Sequence, residues 1–235
     1  MIMNIKKWAF GFCALAVASF SSAQTAEEVV AKYISAKGGA DNLRKIQTVV
    51  MKGTLNANGL EIPINSYVIG NKAYRQDFTV NGMTGYQIIT KENGWNFNPF
   101  MGQTKAEAMT ADDIKSSLDQ LDATDDLLDY AAKGTGVEYL GTEDVEGTEC
   151  YKLKLTMSSG KEKTYFIATA DNMLVKTSQK VNANGQEVET STMMSNYKEV
   201  NGVLFPYSIS VDFGPLEIEN IEINVPVDES LFQPE

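Results

Sequence analysis

Hydrophobic positions recur at two different periods along the chain. In Thr25 to Lys37, TAEEVVAKYISAK, the residues Val29, Val30, Tyr33 and Ile34 fall on one stripe of a helix. Thr25 followed by Glu28 makes a capping box at its start, and Gly38-Gly39 supplies its stop. A short second helical turn is expected over Asp41 to Ile46. From Val49 the period becomes two: Val49, Met51 and Leu55 alternate with Lys52 and Thr54. Strand patterns follow over 62–69, 73–80, 83–91 and 95–98, punctuated by Asn58-Gly59, Gly70-Asn71, Asn81-Gly82 and Asn93-Gly94. Asn-Gly accepts the positive φ that tight hairpin turns need at both central positions, so this half of the chain predicts an antiparallel meander.

The helical period then returns once. Thr110 to Lys133 carries Ile114, Leu118, Leu121, Leu128 and Ala131 on one stripe, with Thr110 as cap, Asp112 and Asp113 in the first turn, and Gly134 as stop. Its far side holds Asp119, Asp122, Asp125, Asp126 and Asp129, which predicts a solvated acidic face. No Asp-x-Asp-x-Asp-Gly loop is present to make these acids a calcium site. Alternation resumes at Val137 and runs to Val225, with turns at Asn184-Gly185 and Asn201-Gly202. In the last strand the apolar phase slips, from Leu216 and Ile218 to Ile221, Ile223 and Val225, which predicts a bulge near Glu219-Asn220. The expected architecture is mainly β with helical insertions, a curved antiparallel sheet of roughly eleven strands with an inserted helix after the fifth.

Composition narrows what such a fold can do. Met1 to Lys7 carries two lysines, Trp8 to Phe20 is uncharged and apolar, and Ser21-Ser22-Ala23 are small. That order predicts a cleaved secretory signal peptide over 1–23, a single domain over 24–235, and a periplasmic location. The apolar run of about 13 residues falls short of the roughly 20 that span a bilayer. Formal net charge is −11, which disfavours nucleic acid and anionic headgroups as partners. Beyond position 23 a lone cysteine, Cys150, remains, so no intrachain disulfide is available. The chain has no histidine, which removes Ser-His-Asp and Cys-His catalysis and His-based metal ligation. No metal site and no cofactor is expected, and the protein reads as a non-enzyme. Arginine is rare: Arg75 lies mid-strand in KAYRQDF, either paired with an acid or set as a polar anchor at a pocket mouth.

What remains is geometry. An amphipathic insertion at about 110–133 must bury its stripe, and packing it into a concave sheet makes an apolar cavity under a lid. The expected wall and lid residues are Met51, Phe78, Tyr86, Ile88, Trp95, Phe97, Ile114, Leu118, Leu121 and Leu128, with Trp95 and Phe97 facing inward.

At this point the chain resembles a known family. QIITKE followed by Gly94, Trp95, Phe97, Asn98-Pro99-Phe100 and Gln103 is similar to a strand-turn-strand of the periplasmic lipoprotein carriers of the LolA type. AKYISAKGGADNLRKIQTVVMKGTL, the spacing of Tyr197, Val200, Gly202, Val203 and Phe205-Pro206, and the closing NVPVDESLFQP resemble the broader outer membrane lipoprotein-sorting group. The resemblance implies a half-open barrel with helices plugging its concave side. It also implies binding of lipid acyl chains or lipoproteins, with membrane-bound donor and acceptor proteins as possible partners. The alternative on the same fold is a non-catalytic module that senses a lipid or a protein partner. The Arg-Pro that tethers the lid in those carriers has no counterpart here, where Gly70-Asn71-Lys72 stands.

Overall fold

The computed structural model describes residues 24–183 and 186–234. The expected signal peptide and the Asn184-Gly185 turn lie outside the described residues. Helix α1 (Ala26–Lys37) starts on the reciprocal Thr25–Glu28 capping box and is followed by the single turn α2 (Ala40–Leu43). One sheet then takes up most of the chain. Its first half comprises β1 (Thr48–Ala57), β2 (Leu60–Ile69), β3 (Ala73–Val80), β4 (Met83–Thr90), β5 (Gly94–Phe97) and β6 (Glu107–Ala108). After an insertion that contains α3 (Ala111–Ser117), the second half comprises β7 (Gly136–Val145), β8 (Thr148–Thr156), β9 (Glu162–Ala168), β10 (Leu174–Ala183), β11 (Gln186–Val200), β12 (Val203–Val211) and β13 (Gly214–Ile223). The order is β6-β5-β4-β3-β2-β1-β13-β12-β11-β10-β9-β8-β7, all antiparallel, so β1 and β13 join the two halves at the centre. This is the open antiparallel sheet with helices that the periodicity predicts. It has thirteen strands where roughly eleven were expected, in part because β6 is two residues long and carries no readable alternation.

Register assigns every side chain to a face. Met51 pairs with Ile221 and Ser66, Gly53 with Ile218 and Ile64, and Ile64 with Phe78, so these residues share one face. The predicted bulge is present: Lys52 opposes Asn220 and Gly53 opposes Ile218, leaving Glu219 as the extra residue. This inner face carries α1, whose Val29, Val30, Tyr33 and Ile34 are buried against Leu153, Leu155, Ile167, Val203 and Ile223. Asn58-Gly59, Asn81-Gly82 and Asn201-Gly202 close hairpins with positive φ at both residues. Asn93-Gly94 does not close one. Thr90 and Asn93 bracket that turn, and Gly94 begins β5, where an added Cβ would stand 2.7 Å from the Met109 sulfur. The glycine there makes room for the insertion and does not shape a turn.

The opposite, outer face holds two smaller apolar clusters. One is Val145, Cys150 and Phe166 on β7–β9. The other is Ala73, Tyr86 and Ile88, covered by the chain end through Val227, Leu231 and Phe232.

Gly38 fixes how α1 meets the sheet. Its φ is +132°, and an added Cβ would lie 2.2 Å from the Gly202 carbonyl oxygen in the β11–β12 turn. Gly38→Ala should therefore destabilise the protein by about 1–3 kcal/mol from backbone strain alone, with the clash adding to it. Gly82→Ala, at φ +78° with open space around it, carries strain without a clash and should cost less. Denaturant midpoints of the two variants measure the difference.

Candidate functional site

The insertion does not form the long helix that its apolar spacing predicts. After α3 come a single 3-10 turn at Leu118–Leu121 and a chain of tight turns to Gly134. The aspartates are the cause. The Asp122 carboxylate accepts from the Thr124 N–H and hydroxyl, and the Asp125 carboxylate accepts from the Leu127 N–H. Such local side-chain bonds compete with the helical ladder. Asp129 takes a left-handed φ of 51°, which a helix interior excludes.

Nor is the acidic side a solvated face. Asp119 pairs with Lys161 and Lys163 at 3.0 and 2.7 Å, and Asp126 accepts from Lys163 at 2.7 Å and from the Tyr165 hydroxyl at 2.6 Å. Asp125 accepts from the Tyr33 hydroxyl at 2.6 Å and pairs with Lys37. Lys133 pairs with Asp122 and donates to the Asp125 carbonyl, while Arg44 grips Asp129. On the far side the Asn71 N–H donates to the Leu121 carbonyl at 2.7 Å. The insertion thus runs across the inner face and ties α1, β9 and the β2–β3 turn together.

Electrostatics follow from that burial. Burial by itself raises the Asp125 carboxyl, but the Lys37 ammonium, the Tyr33 hydroxyl and the Leu127 N–H outweigh it and hold Asp125 below the usual range. Asp119 is likewise pushed up by burial and held low overall by Lys163 and Lys161. Lys163 is pushed down by burial and raised overall by Asp126 and Asp119. The Tyr33 and Tyr165 phenols are raised well above their ordinary value by burial and then by the neighbouring aspartates, so both stay protonated as donors.

The expected wall and lid residues divide between the two faces. Met51 and Phe78 are on the inner face, half-buried, and Phe78 stacks on Phe100 at 5.9 Å. Leu121 and Leu128 are buried in the plug, Ile114 is half-buried beside Gly94, and Leu118 is exposed. Tyr86, Ile88, Trp95 and Phe97 lie on the outer face, contrary to the inward expectation. Tyr86 pairs with Asp77 while Phe78 pairs with Gly85, so Tyr86 and Phe78 cannot share a face; Ile88 opposes Trp95, and Tyr86 opposes Phe97. Period two groups these four together but leaves the choice of face to register.

Arg75 is also outer. It is 5% exposed, donates to Asp77 and the Leu231 carbonyl at 2.6 Å, and lies 4.5 Å from the Tyr86 ring centre. With Tyr86, Phe97 and Lys105 it lines an outer-face cavity of about 440 Å³. Arg75 thus has an acid partner two residues along its own strand and not across the sheet, and the cavity it lines is on the outer face. The Asn98-Pro99-Phe100 and Gln103 motif is a loop lock: the Asn98 N–H donates to Gln103 Oε1 at 2.7 Å, and the Asn98 side chain accepts from the Phe100 N–H.

Sequence reasoning missed a continuous row across the inner face, Met194–Ile209–Leu216–Leu55–Ile62, paired strand to strand and half-buried throughout. Their odd and even positions could be grouped within each strand, but the alignment of Leu55 with Leu216, on strands far apart in the chain, was not available without register.

No protein-family model matches the chain, and no curated protein matches it. Solved structures do. A LolA superfamily protein from Nitrosomonas europaea aligns over 90% of this chain and 98% of its own, at 14% identity and a TM-score of 0.56. An outer membrane lipoprotein-sorting protein domain from Vibrio parahaemolyticus aligns over 87% and 94%, at 13% identity and TM-score 0.52. A DUF1329 family protein from Desulfovibrio piger aligns over 88% and 97%, at 12% identity and TM-score 0.50. The fold is LolA-like, over essentially the whole described chain.

The plug network sets a pH window. Asp119 and Asp125 have depressed folded values, so their contribution is present above about pH 4 and is lost as pH falls through those values. Lys163 has a raised folded value, so its contribution is present below about pH 10.4 and is lost as pH rises through it. Protection factors over 111–134, which correct exchange for its intrinsic pH dependence, should fall at both ends of that window and stay level between. Asp125→Asn, which strands the buried Lys37 ammonium, should cost about 3–5 kcal/mol by chemical denaturation.

Proposed function

We propose that the protein is an exported, non-catalytic carrier that holds lipid acyl chains on the inner face of its half-open sheet. The observation that carries this reading is the Met194–Ile209–Leu216–Leu55–Ile62 row, extended by Met51 and Phe78. Met51, Met194, Ile209 and Leu216 pack on the main core from one side, and all seven side chains keep part of their surface open. A contiguous apolar surface of this kind is the feature an acyl chain recognises, since burial of its methylenes releases about 0.8 kcal/mol each. The LolA-like fold, its likeness to an outer membrane lipoprotein-sorting protein domain and the signal-like first 23 residues support the same reading. The cargo includes the acyl chains of lipoproteins in transit to the outer membrane.

The plug bears on how such a carrier opens. Its tether is a set of aspartates on the insertion, where the LolA-type carriers use the Arg-Pro that has no counterpart here, so release of cargo would depend on Lys37, Lys161 and Lys163.

Uptake of a fluorescent fatty acid tests the proposal. Leu55→Asn and Ile209→Asn should each weaken binding about tenfold, near the cost of placing an amide against a buried chain. Trp95→Phe, on the opposite face, should leave affinity unchanged. Protein that takes up no acyl probe, and carries none when isolated from its native host by native mass spectrometry, would rule the carrier out.

A further inference from the structure

The inner face is not apolar throughout. Beside Met194 the wall changes character: Thr177 and Gln179 on β10 and Thr190 and Thr192 on β11 point to the same side as Tyr165 and Lys163 on β9. Together they line a recess of about 280 Å³ next to the plug. Thr190 makes one long bond of 3.5 Å to the Gln179 carbonyl, and the side chains of Thr177, Gln179 and Thr192 donate no hydrogen bond among the described residues. Elsewhere on this face the neutral polar side chains bond one another, Gln76 to Ser66 and Gln87 to Asn96, whereas these four have almost no partner and call for an explanation, because β-branched Val would fill the threonine positions without the hydroxyl.

The charges at this recess are already matched. Lys161 is held by Asp119, and Lys163 by both Asp119 and Asp126. An anionic group entering here meets no unpaired ammonium and two carboxylates, in a chain of net charge −11. What is open to a ligand is a set of hydroxyls and an amide, each able both to donate and to accept. Met194 belongs to the recess and to the apolar row alike, so the two surfaces are continuous.

We infer that this recess binds an uncharged, hydroxyl-rich lipid headgroup, such as the sugar of a glycosyl diacylglycerol, while the acyl chains lie on the apolar row. The inference rests on the carrier reading and adds the chemistry of the head. Threonine hydroxyls and the glutamine amide exchange their water for sugar hydroxyls, whereas a phosphate would lose hydration and meet only lysines already paired with aspartates.

Three probes with the same labelled acyl chains separate the two levels: a fatty acid, a galactosyl diacylglycerol and a phosphatidylglycerol, each titrated into the full-length mature protein. The galactolipid should bind about tenfold or more tighter than the phosphatidylglycerol. The double variant Thr190→Val and Thr192→Val, which keeps shape, should remove that preference and leave fatty-acid affinity within twofold. Equal binding of the two diacyl lipids, tighter phosphatidylglycerol binding, or equal loss for all three probes in the variant would overturn the headgroup assignment while the carrier reading stands. Failure of every probe, the fatty acid included, would remove both.

Discussion

The aspartates of the insertion hold this structure in its present form. A half-open sheet leaves its largely apolar inner face to be covered, and part of the cover here is a short, irregular segment with little secondary structure of its own. Leu121, Leu127 and Leu128 supply its buried surface, but apolar contact does not fix orientation. Asp119, Asp125 and Asp126 do, Asp119 and Asp126 through Lys163 on β9 and Asp125 through Lys37 on α1. Breaking one such pair leaves a charge in a site with little water, which is why the network orders the segment more firmly than its turns alone could.

The sheet has two working faces, and the chain uses them differently. The inner face receives α1 and the insertion. The outer face at β3–β5 is covered by the chain end, where Phe232 packs on Ala73, Tyr86 and Ile88 and the Leu231 carbonyl accepts from Arg75. Trp95 and Phe97 belong to that second cover. The aromatic pair that looks most like a ligand platform is a structural clamp for the last residues, and the ligand surface proposed above is built from aliphatic side chains with far less individual prominence.

Local rules were legible wherever the governing interaction is local. The Thr25–Glu28 box, the three Asn-Gly turns and the Glu219 bulge all follow from a few neighbouring residues, and all appear. Two inferences failed for the same reason. The helical stripe of 110–133 is present in the sequence, yet the aspartates gain more from distant lysines and from their own Asx bonds than from a solvated helix face. The facing of Trp95 depends on the register of β4 on β3, which adjacent residues do not encode. The Asn93-Gly94 pair shows the converse: a turn-like dipeptide whose glycine answers to Met109, fifteen positions away, and not to its own hairpin.

Plug and polar recess share side chains, and that sharing links cargo to conformation. Lys161 and Lys163 form one wall of the recess while they hold Asp119, the residue that begins the plug's descent across the inner face. A headgroup seated on Thr177 and Thr192 would lie against those ammonium groups and strengthen or weaken their grip on Asp119 according to its charge. A neutral head leaves the pairs intact and the plug shut over the chains. An anionic head competes with Asp119 for the same two lysines, and its binding works against closure. On the proposed headgroup reading, a neutral wall would let the recess accept a polar head while Lys161 and Lys163 keep their hold on Asp119.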